Sequence, residues 1–445
     1  MVIYRKVLEQ LQNWKNTPNK KPVILRGARQ VGKSFVVKEL SKTYQQKILL
    51  NFERIEDKET FESRKLADFI DYIYLKNGYS KDIKTLLFID EIQESYKAID
   101  SLRFFYEDYP FIDVISAGSL LEFALKNIKS FPVGRVHQIA VNPVSFEEFL
   151  NASQPQLVAY FNTVPIAVVA HELILEQFHL YTMLGGMPEV VSHFLSTKNH
   201  YKTQEIYNDL WQGYKQDAEK YAKNETDKKV IRHILNTSHF EKDRIKFNLF
   251  GQSSYKSREV SEAFSSLEMA KIIRPIHPTT QTSFPAIPNF KRSPRLQYLD
   301  TGLLVFLLNV QSDLIGIKDL SDFMRGKLIQ HVVSQEFIAL QKDFQYQPLF
   351  WVRENYNSNA EIDNLYIGND FILPIEIKSG HSGRLRSLMQ FIDEASINKG
   401  VRLSANLFSV EEIKTLNQKA FTLFNIPYYH ATKIKEYLNF QENAK

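Results

Sequence analysis

The chain has no cysteine and no long apolar run, and both absences narrow the classes of protein to which it can belong. Without cysteine, disulfide bonds, thiolate catalysis and cysteine zinc sites are excluded, which fits a reducing compartment and leads us to expect a cytoplasmic protein. No stretch approaches the roughly 18 apolar residues of a membrane helix. Residues 1–21 mix charges with apolar residues, unlike the apolar centre of a signal peptide. We therefore expect no membrane partner.

The composition is otherwise that of a folded globular protein. Hydrophobic residues make up 44% and charged residues 24% of the 445 residues. Size alone predicts about three domains. The net charge is only +5, and the whole excess lies in residues 201–300, which hold 17 Lys and Arg against 12 Asp and Glu. This excess is compatible with DNA contact and equally with an ordinary solvated surface.

The segment after the apolar run Val23–Leu25 matches G-x-x-x-x-G-K-[ST], the phosphate-binding loop of nucleoside triphosphatases. Its glycines let backbone N–H groups point at phosphate oxygens, and the following helix adds its positive dipole end. Lys33 is predicted to reach the β- and γ-phosphates of ATP, and Ser34 to ligate Mg²⁺. The expected cofactor-binding residues of this loop are Gly27, Ala28, Arg29, Gln30, Val31, Gly32, Lys33 and Ser34.

A second apolar run, Leu86–Ile89, ends in Asp90 and Glu91. Carboxylates at the carboxyl end of a parallel strand lie where open α/β sheets bind ligands. Asp90 is predicted to hold the Mg²⁺ that bridges the phosphates, and Glu91 to polarise the attacking water as a general base. A solvated acidic turn would look the same in isolation, but the pairing with Lys33 favours catalysis.

Short apolar strands alternate with helical stretches from Val23 to about Leu150, which predicts a parallel α/β sheet. Ser119 follows the fourth strand, where its hydroxyl is expected either to bond the γ-phosphate or attacking water, or to cap a helix. Arg135 precedes the fifth strand, and we expect it near the same carboxyl edge or at a subunit boundary. It would stabilise charge on the transferred phosphoryl group or form a surface salt bridge. The predicted strands are Val23–Leu25, Ile48–Phe52, Leu86–Ile89, Val114–Ser116 and Ile139–Val141.

The middle of the chain is predicted to be helical from residue 155 to about residue 250. The apolar residues of 257–270 keep a helical period, and the extended Ile272–Ile273 follows, a pattern typical of the recognition helix and first wing strand of a winged helix. Prolines then break regular structure over residues 275–294. Winged helices bind DNA or pack domains together, and the sequence leaves both roles open.

Three carboxylates and a lysine predict a second site in the C-terminal third. Strand alternation places Glu376 and Lys378 on one face, and Asp363 lies thirteen residues before Glu376. We expect Asp363 and Glu376 to bind a divalent metal such as Mg²⁺ or Mn²⁺, and Lys378 to lie beside the attacking water. Glu336, on an upstream helix, would act at a second metal or through water. The alternative is a half-buried strand with charges on its solvated face.

Together these motifs resemble the prokaryotic AAA-type ATPases that are fused to a C-terminal restriction-endonuclease-like domain. The resemblance implies ATP binding by the N-terminal motifs and the PD-(D/E)XK fold for Glu336, Asp363, Glu376 and Lys378, but no known biological role. Ser34 stands where many relatives have threonine, and either hydroxyl can ligate Mg²⁺. The segments that carry the resemblance are Gly27–Ser34, Phe88–Gln93, Ala117–Ser119, Gly134–Val136, Pro143–Phe149, Gly185–Pro188, Asp300–Leu303 and Glu361–Asp363.

The expected fold class is α/β in three parts: a P-loop AAA-type parallel sheet in residues 1–155, a helical and winged-helix region in 156–317, and an α/β restriction-endonuclease-like domain in 318–445. The expected function is Mg²⁺-dependent ATP hydrolysis coupled to DNA binding or processing. One alternative is a nucleotide-dependent switch for a protein partner, with an inactive docking domain. Another is a DNA-binding regulator with slow ATPase activity. A homo-oligomer is compatible with each.

Overall fold

The computed structural model describes residues 3–119, 121, 134–241, 243–309, 326–341, 346–353, 360–368, 371–378 and 385–443. In these ranges the helices are α1 Lys6–Asn16, α2 Lys33–Ser41, α3 Ile55–Glu62, α4 Leu66–Asn77, α5 Tyr96–Asp108, α6 Phe146–Ser153, α7 Val158–Phe161, α8 Val168–Leu184, α9 Pro188–Thr197, α10 His200–Lys220, α11 Glu225–Thr237, α12 Ser257–Met269, α13 Thr301–Leu307, α14 Lys327–Leu340, α15 Arg386–Glu394 and α16 Ile434–Asn443. The strands are β1 Val23–Arg26, β2 Gln46–Asn51, β3 Thr85–Asp90, β4 Ile112–Gly118, β5 His137–Ala140, β6 Ile273–Ile276, β7 Arg295–Tyr298, β8 Leu349–Val352, β9 Glu361–Ile367, β10 Ile372–Ile377, β11 Lys399–Ser404, β12 Ser409–Lys414 and β13 Ala420–Pro427.

The N-terminal sheet is parallel, with the strand order β2-β3-β4-β1-β5 across the described residues. The sequence prediction of a parallel α/β sheet is therefore confirmed. Strands β1 and β4 are buried along their whole length, as expected of apolar strands covered on both faces. Because all these strands run in the same direction, their carboxyl ends form one edge of the sheet, and the phosphate-loop segment follows β1 at that edge.

Helices cover both faces of this sheet because the side chains of each strand alternate between them. On β3, Leu86 and Phe88 pack in a core with α1 and α2, whereas Leu87 and Ile89 pack in a second core with α4 and α5. The first core continues through α8 to β10 and β13 of the C-terminal sheet. The N-terminal, central and C-terminal parts are thus held together by shared apolar packing.

The central region is helical from α8 to α12 and then forms a two-stranded hairpin. Helix α12 packs against α11, and its buried residues include Val260, Phe264 and Leu267. Strands β6 and β7 pair antiparallel, with Ile276 opposite Arg295. The proline-containing segment between them includes Thr279, which forms an isolated bridge with Trp351 of β8. The hairpin therefore lies between the central helices and the C-terminal sheet.

The C-terminal sheet is mixed, with the strand order β12-β13-β11-β10-β9-β8 among the described residues. Strand β10 is parallel to β11 and antiparallel to β9, with Ile375 opposite Asn364. Helix α14 precedes the sheet, and α15 packs against β9 and β10. Across the part of the chain that is described, no helix is both long and apolar enough to cross a bilayer.

Candidate functional site

The phosphate-loop segment is a tight turn between β1 and α2. Gly32 has φ +95°, in the left-handed region where an L side chain is strained, and it directly precedes the first helical residue, Lys33. Gly27 approaches the backbone just after β5 so closely that a Cβ atom would lie 2.2 Å from the carbonyl oxygen of Val141. Both glycines of the motif are thus required by the backbone path itself.

Lys33 is buried and points back across this loop. Its Nζ donates hydrogen bonds to the carbonyl oxygens of Gly27, at 3.1 Å, and Ala28, at 2.7 Å. Burial lowers the pKa of Lys33 to about 8, although the nearby carboxylates of Glu91 and Asp90 favour its charged form. The ammonium is therefore held at the loop by carbonyls that a phosphate group could replace.

Ser34 and Asp90 meet directly at the carboxyl edge of the sheet. The Ser34 hydroxyl donates to Oδ2 of Asp90 at 2.6 Å, and burial raises the pKa of the Asp90 carboxyl. A hydroxyl and a carboxylate are the hard oxygen donors that Mg²⁺ prefers. This pair fits the predicted metal position beside Lys33.

Glu91 follows Asp90 in a left-handed conformation, with φ +51°, and turns its carboxylate toward the end of β4. Its Oε2 accepts hydrogen bonds from Gln93 Nε2 at 2.6 Å, from Ser119 N at 3.3 Å and from Ser119 Oγ at 3.2 Å. Ser119 therefore orients Glu91. The alternative prediction, that Ser119 caps a helix, depends on residue 120 and residues 122–133, which lie outside the described residues.

Arg135 lies at the opposite edge of the sheet. The prediction that it lies near the carboxyl edge is wrong, because a residue just before a parallel strand lies at the amino edge of the sheet. His137, the first residue of β5, pairs with Val23, the first residue of β1, whereas the phosphate loop follows the last residue of β1. The Nε of Arg135 donates to Glu107 Oε1 at 2.8 Å, and both side chains are largely exposed. Arg135 is thus excluded as a group acting on the ATP of its own chain.

Arg5 fixes the phosphate loop from outside and was missed by the sequence predictions. Its Nη1 donates to Val31 O at 2.8 Å, its Nη2 to Asn142 O at 2.5 Å, and its Nε to Glu148 at 3.1 Å. The side chain is buried. Arg5 belongs to no motif and lies 26 residues before its partner in the loop, so the sequence carries no signal for this contact.

A cavity of ≈ 60 Å³ separates the start of the phosphate loop from the central hairpin. The end of β1 contributes Arg26, the loop contributes Gly27 and Ala28, and Lys271 contributes a cation from the turn before β6. The Lys271 charge acts on Lys33, lowering the pKa of that lysine further. The central region is thus close enough to the loop to respond to charge placed there.

In the C-terminal sheet, the structure brings Asp363, Glu376 and Lys378 together. The Nζ of Lys378 lies 2.5 Å from Glu376 Oε1, and Asp363 Oδ2 accepts a hydrogen bond from the N–H of Ile377 at 2.8 Å. Burial and the adjacent Asp363 charge raise the pKa of Glu376 to about 7. Glu376 Oε2 is buried and has no hydrogen-bond partner among the described residues. That oxygen fits a cation ligand.

Other contacts in the same cluster do not fit a metal. Arg295 pairs with Glu361 and lies 3.6 Å from Asp363 Oδ1, and Gln330 donates to that same Asp363 oxygen at 2.9 Å. Among the residues that the structure describes, no group of three or more His, Cys, Asp or Glu side chains is arranged to hold a metal ion.

Glu336 does not join this cluster. On α14, Gln330 and Ser334 face β9, whereas Glu336 lies on another side of the helix. Its carboxylate accepts hydrogen bonds from Phe146 N, at 3.1 Å, and from Tyr181 OH, at 2.8 Å. Burial raises its pKa to about 7. The expected convergence with Asp363 and Glu376 is therefore wrong, and Glu336 links α14 to α6 and α8.

Comparison with known proteins agrees with the geometry of the N-terminal site. Residues 19–150 match a family described as an AAA domain, and residues 175–314 and 325–429 match two families described as domains of unknown function, DUF8612 and DUF4143. No curated protein matches the chain.

Three solved structures that match the chain have low overall similarity to it. A Walker-type ATPase of Pyrococcus abyssi has 15% identity and a TM-score of 0.44, with 69% of this chain and 96% of that chain covered. PCH-2 of C. elegans has 16% identity and a TM-score of 0.27, covering 43% and 62%. The Hsp104–ADP complex of S. cerevisiae has 12% identity and a TM-score of 0.29, covering 61% and 38%. The family match and the site geometry together support a nucleotide-binding P-loop domain, similar to AAA domains, in residues 19–150.

Proposed function

We propose that this protein is a Mg²⁺-dependent ATPase. The observation that carries the proposal is the convergence of two pairs, Ser34 with Asp90 and Glu91 with Ser119, beside the buried Lys33. In this assignment the ammonium of Lys33 exchanges its two loop carbonyls for phosphate oxygens and offsets their charge. Ser34 and Asp90 are the residues that would hold Mg²⁺, whose positive charge would then lie beside the phosphates.

Glu91 is the group proposed to activate water. Its Oε2 is held by Ser119 and Gln93, so the carboxylate has a fixed direction before ATP binds. A carboxylate so oriented can accept a proton from water as the water oxygen attacks the γ-phosphorus. The bond from that phosphorus to the ADP oxygen breaks on the opposite side, and ADP leaves. Phosphate release from ATP with Mg²⁺, compared with the same reaction in excess chelator, tests the proposal. Absence of metal-dependent release would contradict it.

We also retain the division into residues 1–155, 156–317 and 318–445 as a proposal. The helix pair α11 and α12 followed by the β6–β7 hairpin supports the winged-helix assignment of the central part. Ion pairs already engage cations on and beside this helix pair: Lys223, just before α11, and Arg258 of α12 both contact Glu262, and Arg232 of α11 contacts Glu219 of α10. This pairing favours packing between domains over DNA contact. Fluorescence anisotropy of a labelled DNA duplex, at low and high salt, measures the affinity of the protein for DNA and how far that affinity depends on charge.

For the C-terminal domain, the Asp363, Glu376 and Lys378 cluster supports a nuclease-like site, and the Arg295 contacts favour the alternative of a docking domain. We propose that the domain does no chemistry in the conformation described here. Incubation of plasmid DNA with Mg²⁺ or Mn²⁺, with and without ATP, tests this. Metal-dependent cleavage by the unmodified protein that Asp363→Asn abolishes would restore the nuclease assignment.

A further inference from the structure

A guanidinium from the central hairpin lies within the carboxylate cluster of the C-terminal sheet. Arg295, the first residue of β7, pairs with the carboxylate of Glu361, donates from Nη1 to the carbonyl oxygen of Asp363 at 3.1 Å, and holds Nη2 at 3.6 Å from Asp363 Oδ1. Its side chain is 18% exposed and stacks 4.3 Å from the ring centroid of Phe350. These four contacts, made with three residues, hold the guanidinium in place.

Each carboxylate of the cluster already has a cation in contact with it. Glu361 has Arg295 and also Arg244 at 3.1 Å, Asp363 has Arg295, and Glu376 has Lys378. A divalent ion bound to Asp363 would lie beside the positive guanidinium, where the two cations repel each other at short range in a partly buried site. It would also have to displace the Gln330 donor from Asp363 Oδ1.

We propose that Arg295 is the resident cation of this site and excludes divalent metal while the hairpin is docked. Removing the guanidinium takes its positive charge away from Asp363 Oδ1, which still accepts from the neutral amide of Gln330, and Glu376 Oε2 has no hydrogen-bond partner among the described residues. Those oxygens are the ligand type that Mg²⁺ and Mn²⁺ prefer. The inference does not depend on ATP hydrolysis, and ATP binding serves as a control for the folded state.

The test is calorimetric titration of the full chain with Mn²⁺ in the absence of nucleotide. We expect Asp363-dependent Mn²⁺ binding by Arg295→Gln to be at least about ten times tighter than any Asp363-dependent binding by the unmodified protein, a difference of at least about 1.4 kcal/mol. Arg295→Gln/Asp363→Asn should lose this binding, which separates the C-terminal site from Asp90 in the loop. Lys291→Gln, which removes an exposed charge four residues before Arg295 in the chain, is the matched control and should behave as the unmodified protein.

Two results would overturn the proposal: Asp363-dependent Mn²⁺ binding of equal affinity without the substitution, or no binding by an Arg295→Gln protein that still melts cooperatively and binds ATP. If Arg295→Gln fails to fold because Glu361 is left without its closest partner, Arg295→Gln/Glu361→Gln carries the test. That variant removes one charge of each sign and leaves Asp363 and Glu376 in place. It is expected to bind Mn²⁺, and its failure to do so when folded counts against the proposal equally.

Discussion

Lys33 and Glu91 are the residues whose proposed roles separate binding from turnover. We expect Lys33→Ala to weaken ATP binding because it removes the buried ammonium, and Glu91→Gln to keep binding and lower turnover by about 10²- to 10⁴-fold, the usual loss of a general base. Titration with a fluorescent ATP analogue and phosphate release measure the two effects. Glu94→Gln is the matched control, since the Glu94 side chain is exposed and its carboxylate pairs with Lys58 at 3.9 Å. Full turnover by Glu91→Gln would remove Glu91 from the mechanism.

ATP affinity should depend on pH through Lys33. Burial lowers the pKa of this lysine to about 8 in the free protein, so below that pH the ammonium is already charged when ATP binds. Above it, the neutral lysine must take up a proton, and the Kd for ATP should rise by about tenfold per pH unit. Calorimetry in buffers of different ionisation enthalpy measures this uptake. Lys33→Arg is the control because a guanidinium stays charged. A flat profile for the lysine protein would contradict the assignment.

The residues of the phosphate loop and the acidic strand end could be found from the sequence because each motif spans a few residues at a strand end. The geometry of a strand, a turn and a helix then fixes where Lys33, Ser34 and Asp90 point. Arg5 and Arg295 could not be found this way. Their contacts join residues that are 26 and 66 positions apart, and only the packed fold brings such residues together.

At the scale of elements, the sequence predictions that are wrong concern the end of a strand or the face of a helix on which a residue lies. Arg135 lies beside the strand that the sequence predicts, but at its amino end, because it precedes that strand. Glu336 lies on the helix that the sequence predicts, yet helical spacing alone does not say which neighbour each face meets. In the structure Gln330 and Ser334 of that helix face β9, and Glu336 faces α6 and α8.

Glu336 should make the stability of this helix junction depend on pH. Burial raises its pKa from 4.5 to about 7, so between these values the folded protein holds a proton that the unfolded chain releases, and stability falls as pH rises through this window. Glu336→Gln should remove this pH dependence of the unfolding free energy, which amounts to up to about 3 kcal/mol across the window. Chemical denaturation of both proteins across the window measures the difference in unfolding free energy. A constant difference at every pH would show that Glu336 does not titrate there.

At the scale of the whole molecule, Arg135 can act on ATP only from a neighbouring subunit. If it does, Arg135→Ala should slow hydrolysis without weakening ATP binding, and mixing it with Lys33→Ala protein should restore part of the rate, because some sites then combine an intact loop with an intact arginine. Phosphate release at constant total protein measures this. Glu107→Ala is the control, since it breaks the ion pair and keeps the arginine. Unchanged hydrolysis by Arg135→Ala leaves Arg135 as a surface pair.

The β6–β7 hairpin reaches both sites. Lys271 lines the cavity beside the phosphate loop and lies two residues before β6, while Arg295 begins β7 at the end of the hairpin that faces the C-terminal carboxylates. Because phosphates attract Lys271, a bound non-hydrolysable ATP analogue should change amide hydrogen exchange along residues 273–276 and 295–298. Lys33→Ala protein, which should not bind the analogue, is the control. Exchange that changes only in the phosphate loop would show that the hairpin does not respond to nucleotide, and that Arg295 stays docked whether or not ATP is bound.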